Sequence, residues 1–242
     1  MSPKHEVALR AILLTGLGLV LYSKLHSGAI AFYVSRRFIW LIWGASLTLQ
    51  LLGIIQWIRL LVMDPAKVES FDTHGLPVWS YAAILVPILL GTFIPHQPLG
   101  AGTVKNRGLT SVVSVSKKTS VLALPRPAER DIVDWMRSFD SNPDPEVFDG
   151  QPVDVTGFVY HNPRLPVDQF MIARFLITCC VADASAVGLP VRYKEACKLK
   201  QDTWVRVKGV SLSGEVMGES MPIILAGEVK VVHQPEDPYL NP

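Results

Sequence analysis

Residues 38–58, FIWLIWGASLTLQLLGIIQWI, are 21 uncharged positions in a row, bounded by Arg36 and Arg37 on one side and Arg59 on the other. A bilayer core about 30 Å thick takes roughly 20 helical residues at 1.5 Å each, so this segment has the length and chemistry of a membrane span. Trp40, Trp43 and Trp57 stand near its ends, where interfacial aromatic anchors belong. Within it, Gln50 sits mid-span and Gln56 near the end, while Gly44, Ser46 and Thr48 offer small surfaces for close helix approach. Those surfaces fit two uses, contact with a partner membrane protein or packing among the chain's own helices, and the second is the commoner. No acid or lysine marks an ion path inside the span.

Two weaker apolar blocks flank this span. Ala11–Tyr22 holds 12 residues before Ser23 and Lys24, and it reaches spanning length only if Val7–Arg10 joins it with Arg10 snorkelling outward. The basic start (Lys4, Arg10) and the Ala29-Ile30-Ala31 pattern also fit a cleaved signal peptide. Against that, the polar interval Ser23–Ser27 leads into more apolar chain, which favours an uncleaved span. Val78–Pro95 is 18 uncharged residues containing Trp79 and Pro87, a kink that neighbouring helices can accommodate. The expectation is a helical membrane region over 1–95 with about three transmembrane helices, near 7–25, 38–58 and 78–95, in the lipid bilayer of the cell membrane.

Charge separates this region from the rest. Only seven of the 23 Lys and Arg and four of the 21 Asp and Glu precede residue 95, so the remainder is polar and nearly balanced. No basic field argues for nucleic acid. With three spans, Lys24, Arg36, Arg37, Lys105 and Arg107 fall on the side of the C-terminal domain, against Lys4, Arg10, Arg59 and Lys67 on the other. The positive-inside rule thus leans that domain towards the cytoplasm by one charge.

Residues 96–126 mix Pro, Gly, Ser, Thr, Lys and Val and read as a linker, with one short strand at Leu109–Val115. In Ala128–Phe139, Ile132, Trp135, Met136 and Phe139 recur at helical spacing, which predicts an amphipathic helix docking on its own domain. From Pro152 the period becomes two. Val153, Val155, Gly157 and Val159 alternate with polar or aromatic residues, as do Val205, Val207 and Gly209, and Ile223, Leu225, Gly227, Val229 and Val231 share one face of a third run. Gln169–Thr178 is almost continuously apolar apart from Arg174, as a strand covered on both faces is, and Leu189–Tyr193 adds a short fifth strand. Residues 127–242 are therefore expected to form a mainly β soluble domain, a small OB-like five-stranded barrel with one amphipathic helix, with a sandwich as the alternative.

The three cysteines, Cys179, Cys180 and Cys197, lack Cys-x-x-Cys spacing. Neighbours on a strand point to opposite faces, so Cys179 and Cys180 could share a metal only where the strand ends and the chain turns, which Asp183 and Ser185 make plausible. Cys179, Cys180 and Asp183, with Cys197 or His161, form the candidate site for zinc or another transition metal. Buried cysteines acting as small hydrophobes are the commoner outcome, and a disulfide is the third. Arg174 could hold an anion or pair with a strand acid. No phosphate loop, dinucleotide glycine motif, His-Glu-x-x-His or Ser/His/Asp spacing occurs, and nothing argues for an enzyme.

Several runs carry a family likeness. Gly157-Phe-Val-Tyr-His-Asn-Pro163, the segment from Arg174-Phe to Cys179-Cys180-Val-Ala-Asp183-Ala, Trp204-Val-Arg-Val-Lys-Gly209, Pro238-Tyr239-Leu240 and Phe93-Ile-Pro-His-Gln-Pro-Leu-Gly100 resemble the YcgQ-type bacterial membrane family over about the whole chain. The resemblance implies a few N-terminal spans, a C-terminal soluble domain and a multi-span permease as partner, hence an accessory subunit, with a link to metal homeostasis. Relatives carry a His-rich loop between the second and third spans; Asp64–Pro77 here holds only His74, which weakens the metal reading. Two functions follow: a non-enzymatic permease accessory protein whose domain binds or presents cargo, or a membrane-anchored metal- or thiol-handling module using Cys179 and Cys180.

Overall fold

The computed structural model describes residues 3–62, 78–95, 97–109, 125–142 and 144–240. The chain divides into two compact units, Met1–Gln97 and Pro98–Pro242.

The first unit is helical. Helix α1 runs Pro3–His26, α2 Ile39–Val62 and α3 Val78–Phe93. By length and composition two segments suffice to cross a membrane, His5–His26 and Arg36–Val62, whereas the apolar part of α3, Trp79–Phe93, is shorter. The expected third span is thus an apolar helix of less than spanning length in its described part, with Pro87 inside it. Small residues let α1 and α2 approach: the Ser46 hydroxyl donates to the Gly18 carbonyl at 3.1 Å, and a Cβ added at Gly53 would sit 2.5 Å from Thr15 Oγ1. Ser46 therefore packs within the chain. Gly44 meets nothing within 4 Å, and the Thr48 hydroxyl turns back to its carbonyl at 2.8 Å. The outward side chains of α2, among them Trp40, Leu47, Leu51 and Ile58, are apolar and exposed, a surface that water penalises and lipid does not.

The second unit is built on a six-stranded mixed sheet: β1 Pro152–Tyr160, β2 Gln169–Leu176, β3 Ser185–Arg192, β4 Trp204–Val216, β5 Glu219–Val231 and β6 Tyr239–Leu240. The pairing order is β1-β4-β5-β3-β2-β6, with a further β1–β2 pairing. All ladders are antiparallel except β3–β5 and β2–β6. Because β3 meets β5 through only two pairs, Val191–Ile224 and Arg192–Leu225, the sheet is not a clear barrel. The expected five strands also become six, the addition being a two-residue strand bonded to the end of β2. Strand β3 starts at Ser185, four residues before the predicted Leu189.

Period two explains the core. Val153, Val155 and Val159 of β1 and Val205 and Val207 of β4 join Phe170 and Ile172 of β2 in one apolar cluster. Ala173 and Phe175, at the alternate positions of β2, enter a second cluster with Phe158, Trp204 and Tyr239. Strand β2 is therefore covered on both faces, as its unbroken apolar run predicts, and each fully buried Phe or Ile there contributes about 1.5–3 kcal/mol.

The predicted common face of β5 does not form. Ile223 and Ile224 are both buried, while Leu225 and Val231 are exposed at 42% and 67%. Lys208 pairs with Glu228 but Gly209 pairs with Ala226, leaving Gly227 as the extra residue of a bulge, and one extra residue reverses the facing of everything beyond it.

Two short helices seal the sheet. Helix α4, Ala101–Arg107, lies inside the 96–126 interval and buries Ala101 and Val104 in the second cluster. The Leu99 amide donates to the Tyr239 hydroxyl at 3.0 Å. Of the strand expected at Leu109–Val115 only Leu109 lies within the described residues, and it forms a parallel bridge to Ala186. Helix α5, Ile132–Ser141, starts later than predicted because Asp131 and Asp134 cap it reciprocally. It docks on its own domain as expected, with Trp135, Phe139 and Phe148 in ring contact.

Candidate functional site

The cysteine pair lies just past the end of β2, on a turn rather than on the strand. The Asp183 carboxylate accepts the Thr178 amide at 3.1 Å and the Cys179 amide at 2.8 Å, and the Val181–Asp183 turn follows. From α4 the Arg107 guanidinium donates to the carbonyls of Val181, at 3.1 Å, and Ala184, at 3.0 Å. The turn is thus held from both sides. It leaves Cys179 exposed, Cys180 half-buried and their sulfurs 3.6 Å apart, so the core-hydrophobe reading does not apply to Cys179.

The electrostatics run against a thiolate. A hydrogen bond to Asp183, then the neighbouring Cys180, pushes the Cys179 thiol up to about 11. Burial on its own raises Asp183, but hydrogen bonds from the Cys179 thiol and the nearby amides outweigh it and hold its carboxyl below the usual value. A zinc site needs about four donors, usually with deprotonated thiols. Here Asp183 spends its oxygens on backbone amides, and no three His, Cys, Asp and Glu side chains gather in a metal-holding group among the described residues. His161 Nε2 lies 2.8 Å from the Leu199 carbonyl oxygen, and Cys197 is exposed on its own turn at Ala196–Lys198. The residues present do not fit a closed metal centre.

Arg174 is likewise a structural residue. Its guanidinium donates to the carbonyls of Asp237 and Pro238 and lies over the Trp204 ring at 5.7 Å, tying the C-terminal strand down. Burial lowers its pKa, with Asp131 and then Asp237 opposing. Neither an anion site nor a pair with a strand acid results.

A concavity lies elsewhere on this unit. It is a groove of about 600 Å³ between the end of α5, the β1–β2 loop at Asn162 and Arg164, the middle of β3, and the β4–β5 hairpin. That volume suits a ligand of several side chains. Four of the six methionines follow residue 97, and all four, Met136, Met171, Met217 and Met221, line it. Thioether side chains are unbranched and polarizable and repack around varied shapes. Met217 and Gly218 join β4 to β5 with φ of 55° and 88°, the two positive values of a tight hairpin turn in which Asn-Gly is usual. Methionine in the left-handed region is uncommon, and its sulfur stands 3.7 Å from Asn162 Nδ2, so a costly backbone position carries its side chain to the groove. The methionines lie far apart in sequence and no local pattern unites them; the Met217-Gly218 pair between two alternating runs was the one available signal.

Together these features define a chain with an apolar helical N-terminal unit and a C-terminal β unit that bears a soft-walled groove. Residues 9–110 match the DUF1980 N-terminal domain and residues 115–242 the DUF1980 C-terminal domain, and the chain belongs to that family. It is similar to UPF0703 protein YcgQ of Bacillus subtilis (strain 168), 21% identical over 280 aligned residues that cover 96% of this chain and 98% of the relative. A Streptococcus mutans protein, named as a candidate subunit of a two-component membrane permease complex, is 21% identical over 255 residues covering 88% and 92%.

Proposed function

We propose that the chain is a non-enzymatic, multi-pass membrane accessory subunit that works with a multi-span permease, its β domain binding or presenting cargo at the methionine-lined groove. The observation that carries this reading is the groove itself, the convergence of Met136, Met171, Met217 and Met221 on one concavity. The Streptococcus mutans relative's name supports the permease partner, and the exposed apolar side chains of α2 support insertion. In this reading the apolar segment 78–95, with α3 in it, is the third crossing. The sheet is read as an OB-like arrangement opened between β3 and β5, since the order β1-β4-β5-β3-β2 returns to β1 and the groove involves the β2–β3 face and the loops that such folds use for ligands. A thiol-handling role for Cys179 and Cys180, with Asp183, has one supporting observation, the 3.6 Å sulfur separation.

The test is purification of the full chain, tagged and expressed in its native membrane, in mild detergent, with mass spectrometry of what comes with it. A multi-span permease in near-equal amount is the expected result. A chain that purifies alone under several mild detergents overturns the reading.

A further inference from the structure

Cys179 and Cys180 are neighbours in the chain, and extended neighbours direct their side chains to opposite faces. Their sulfurs nevertheless stand 3.6 Å apart, brought together by the turn past β2. That turn is fixed without them: the Asp183 carboxylate takes the Thr178 and Cys179 amides, and Arg107 holds the Val181 and Ala184 carbonyls. Cys179 is exposed and Cys180 half-buried, so the pair is within reach of a small molecule.

The geometry discriminates among partners for such a pair. A disulfide would join Cα atoms only about 3.8 Å apart, the trans-peptide spacing, whereas unstrained disulfides need roughly 4.4–6.8 Å. A divalent cation such as zinc takes about four donors and deprotonated thiols. No third His, Cys, Asp or Glu side chain completes a group among the described residues, and the hydrogen bond to Asp183, then Cys180, pushes the Cys179 thiol up to about 11. A linear two-thiolate ion such as copper(I) would have to spread the sulfurs and remove both protons. A pyramidal trivalent arsenic centre needs neither: it holds two sulfurs close to the separation present here, and it reacts with protonated thiols at no net change in charge.

We propose that Cys179 and Cys180 form a dithiol site for a trivalent arsenical carrying one organic group. The inference rests on the thiol-handling reading of these residues and names its ligand class. Two arsenic–oxygen bonds of R–As(OH)2 break, two arsenic–sulfur bonds form, and each thiol proton leaves with a hydroxyl as water. Arsenic stays trivalent and nothing is oxidised. The number of thiols selects the organic form, whose two exchangeable hydroxyls are satisfied by two cysteines. Arsenite has three and lacks a third thiol here, because Cys197 lies on the separate turn Ala196–Lys198.

Phenylarsine oxide, which hydrates to such a dihydroxide, tests this on the full chain, reduced and in mild detergent, with excess glutathione to strip arsenic from single thiols. The expected result is one phenylarsenic per chain by intact mass, Cys179 and Cys180 both protected from iodoacetamide, and release by a small competing dithiol. Cys179→Ser and Cys180→Ser each lower retention about 100-fold or more, since one sulfur forfeits the chelate, while Cys197→Ser leaves it unchanged and arsenite is held less tightly. Retention that survives either of the first two substitutions, that rises with pH as thiolate–cation binding does, or that is equalled by arsenite overturns the proposal. Cysteines that iodoacetamide alkylates while no arsenic is retained overturn it and leave the thiol-handling reading standing. A folded chain in which Cys179 and Cys180 take neither reagent removes both.

Discussion

Replacing Asp183 by Asn would awaken a dormant thiol. The carboxylate takes the hydrogen bond of the Cys179 thiol and is the largest reason that this group titrates at about 11. A thiol with that value is roughly one part in a thousand thiolate at pH 8, and one restored to the ordinary value near 8.5–9 is about a tenth or more thiolate, a gain on the order of 100-fold. A less basic thiolate is also a poorer nucleophile, by roughly tenfold over two units at a Brønsted slope of 0.4–0.5. The net expectation is about a tenfold faster alkylation of Cys179. Asn keeps one oxygen to accept an amide, and the Arg107 hydrogen bonds to Val181 and Ala184 hold the turn in place. The assay is iodoacetamide labelling of the full chain across pH 7–10, with tandem mass spectrometry separating Cys179 from Cys180 and Cys197. Two results refute the reasoning: a Cys179 in the unmodified chain that already alkylates like free cysteine at pH 8, or a variant whose rate does not change.

Gly209→Ala places a Cβ 2.1 Å from the Leu225 carbonyl oxygen; backbone must shift beside the bulge, and a loss of about 2–3 kcal/mol is expected in urea unfolding followed by near-ultraviolet circular dichroism. Arg174→Lys removes the fork that binds the Asp237 and Pro238 carbonyls, so the Ile177 amide, which donates to Leu240 at 3.0 Å, should exchange roughly 30-fold faster, about 2 kcal/mol of local opening. Asp154 is held below the usual carboxylate range first by its hydrogen bonds from Arg206. A depressed folded-state value means that its stabilisation is present above the ordinary carboxylate pKa and is lost as pH falls through the folded one, and Asp154→Asn should flatten that acid limb in melting temperature measured from pH 6 to pH 3.

How much of this was legible in sequence depended on whether a residue's role was set by its neighbours in the chain. The apolar run of α2, the alternation of β1 and the two-sided burial of β2 are local properties, and they were readable. The β5 face failed because one unpaired residue, Gly227, reverses parity, and nothing in Ala226-Gly-Glu-Val announces it. Helix α4 has seven residues and no usable period; burial of Ala101 and Val104 and the Tyr239 hydroxyl on Leu99 hold it in place. Strand β6 exists because Arg174, 63 residues away, ties Asp237 and Pro238 down. Asp183 and Ser185 made a turn after the cysteine pair readable as one option, but which partners Asp183 would choose was decided by two backbone amides, a geometry that sequence does not express.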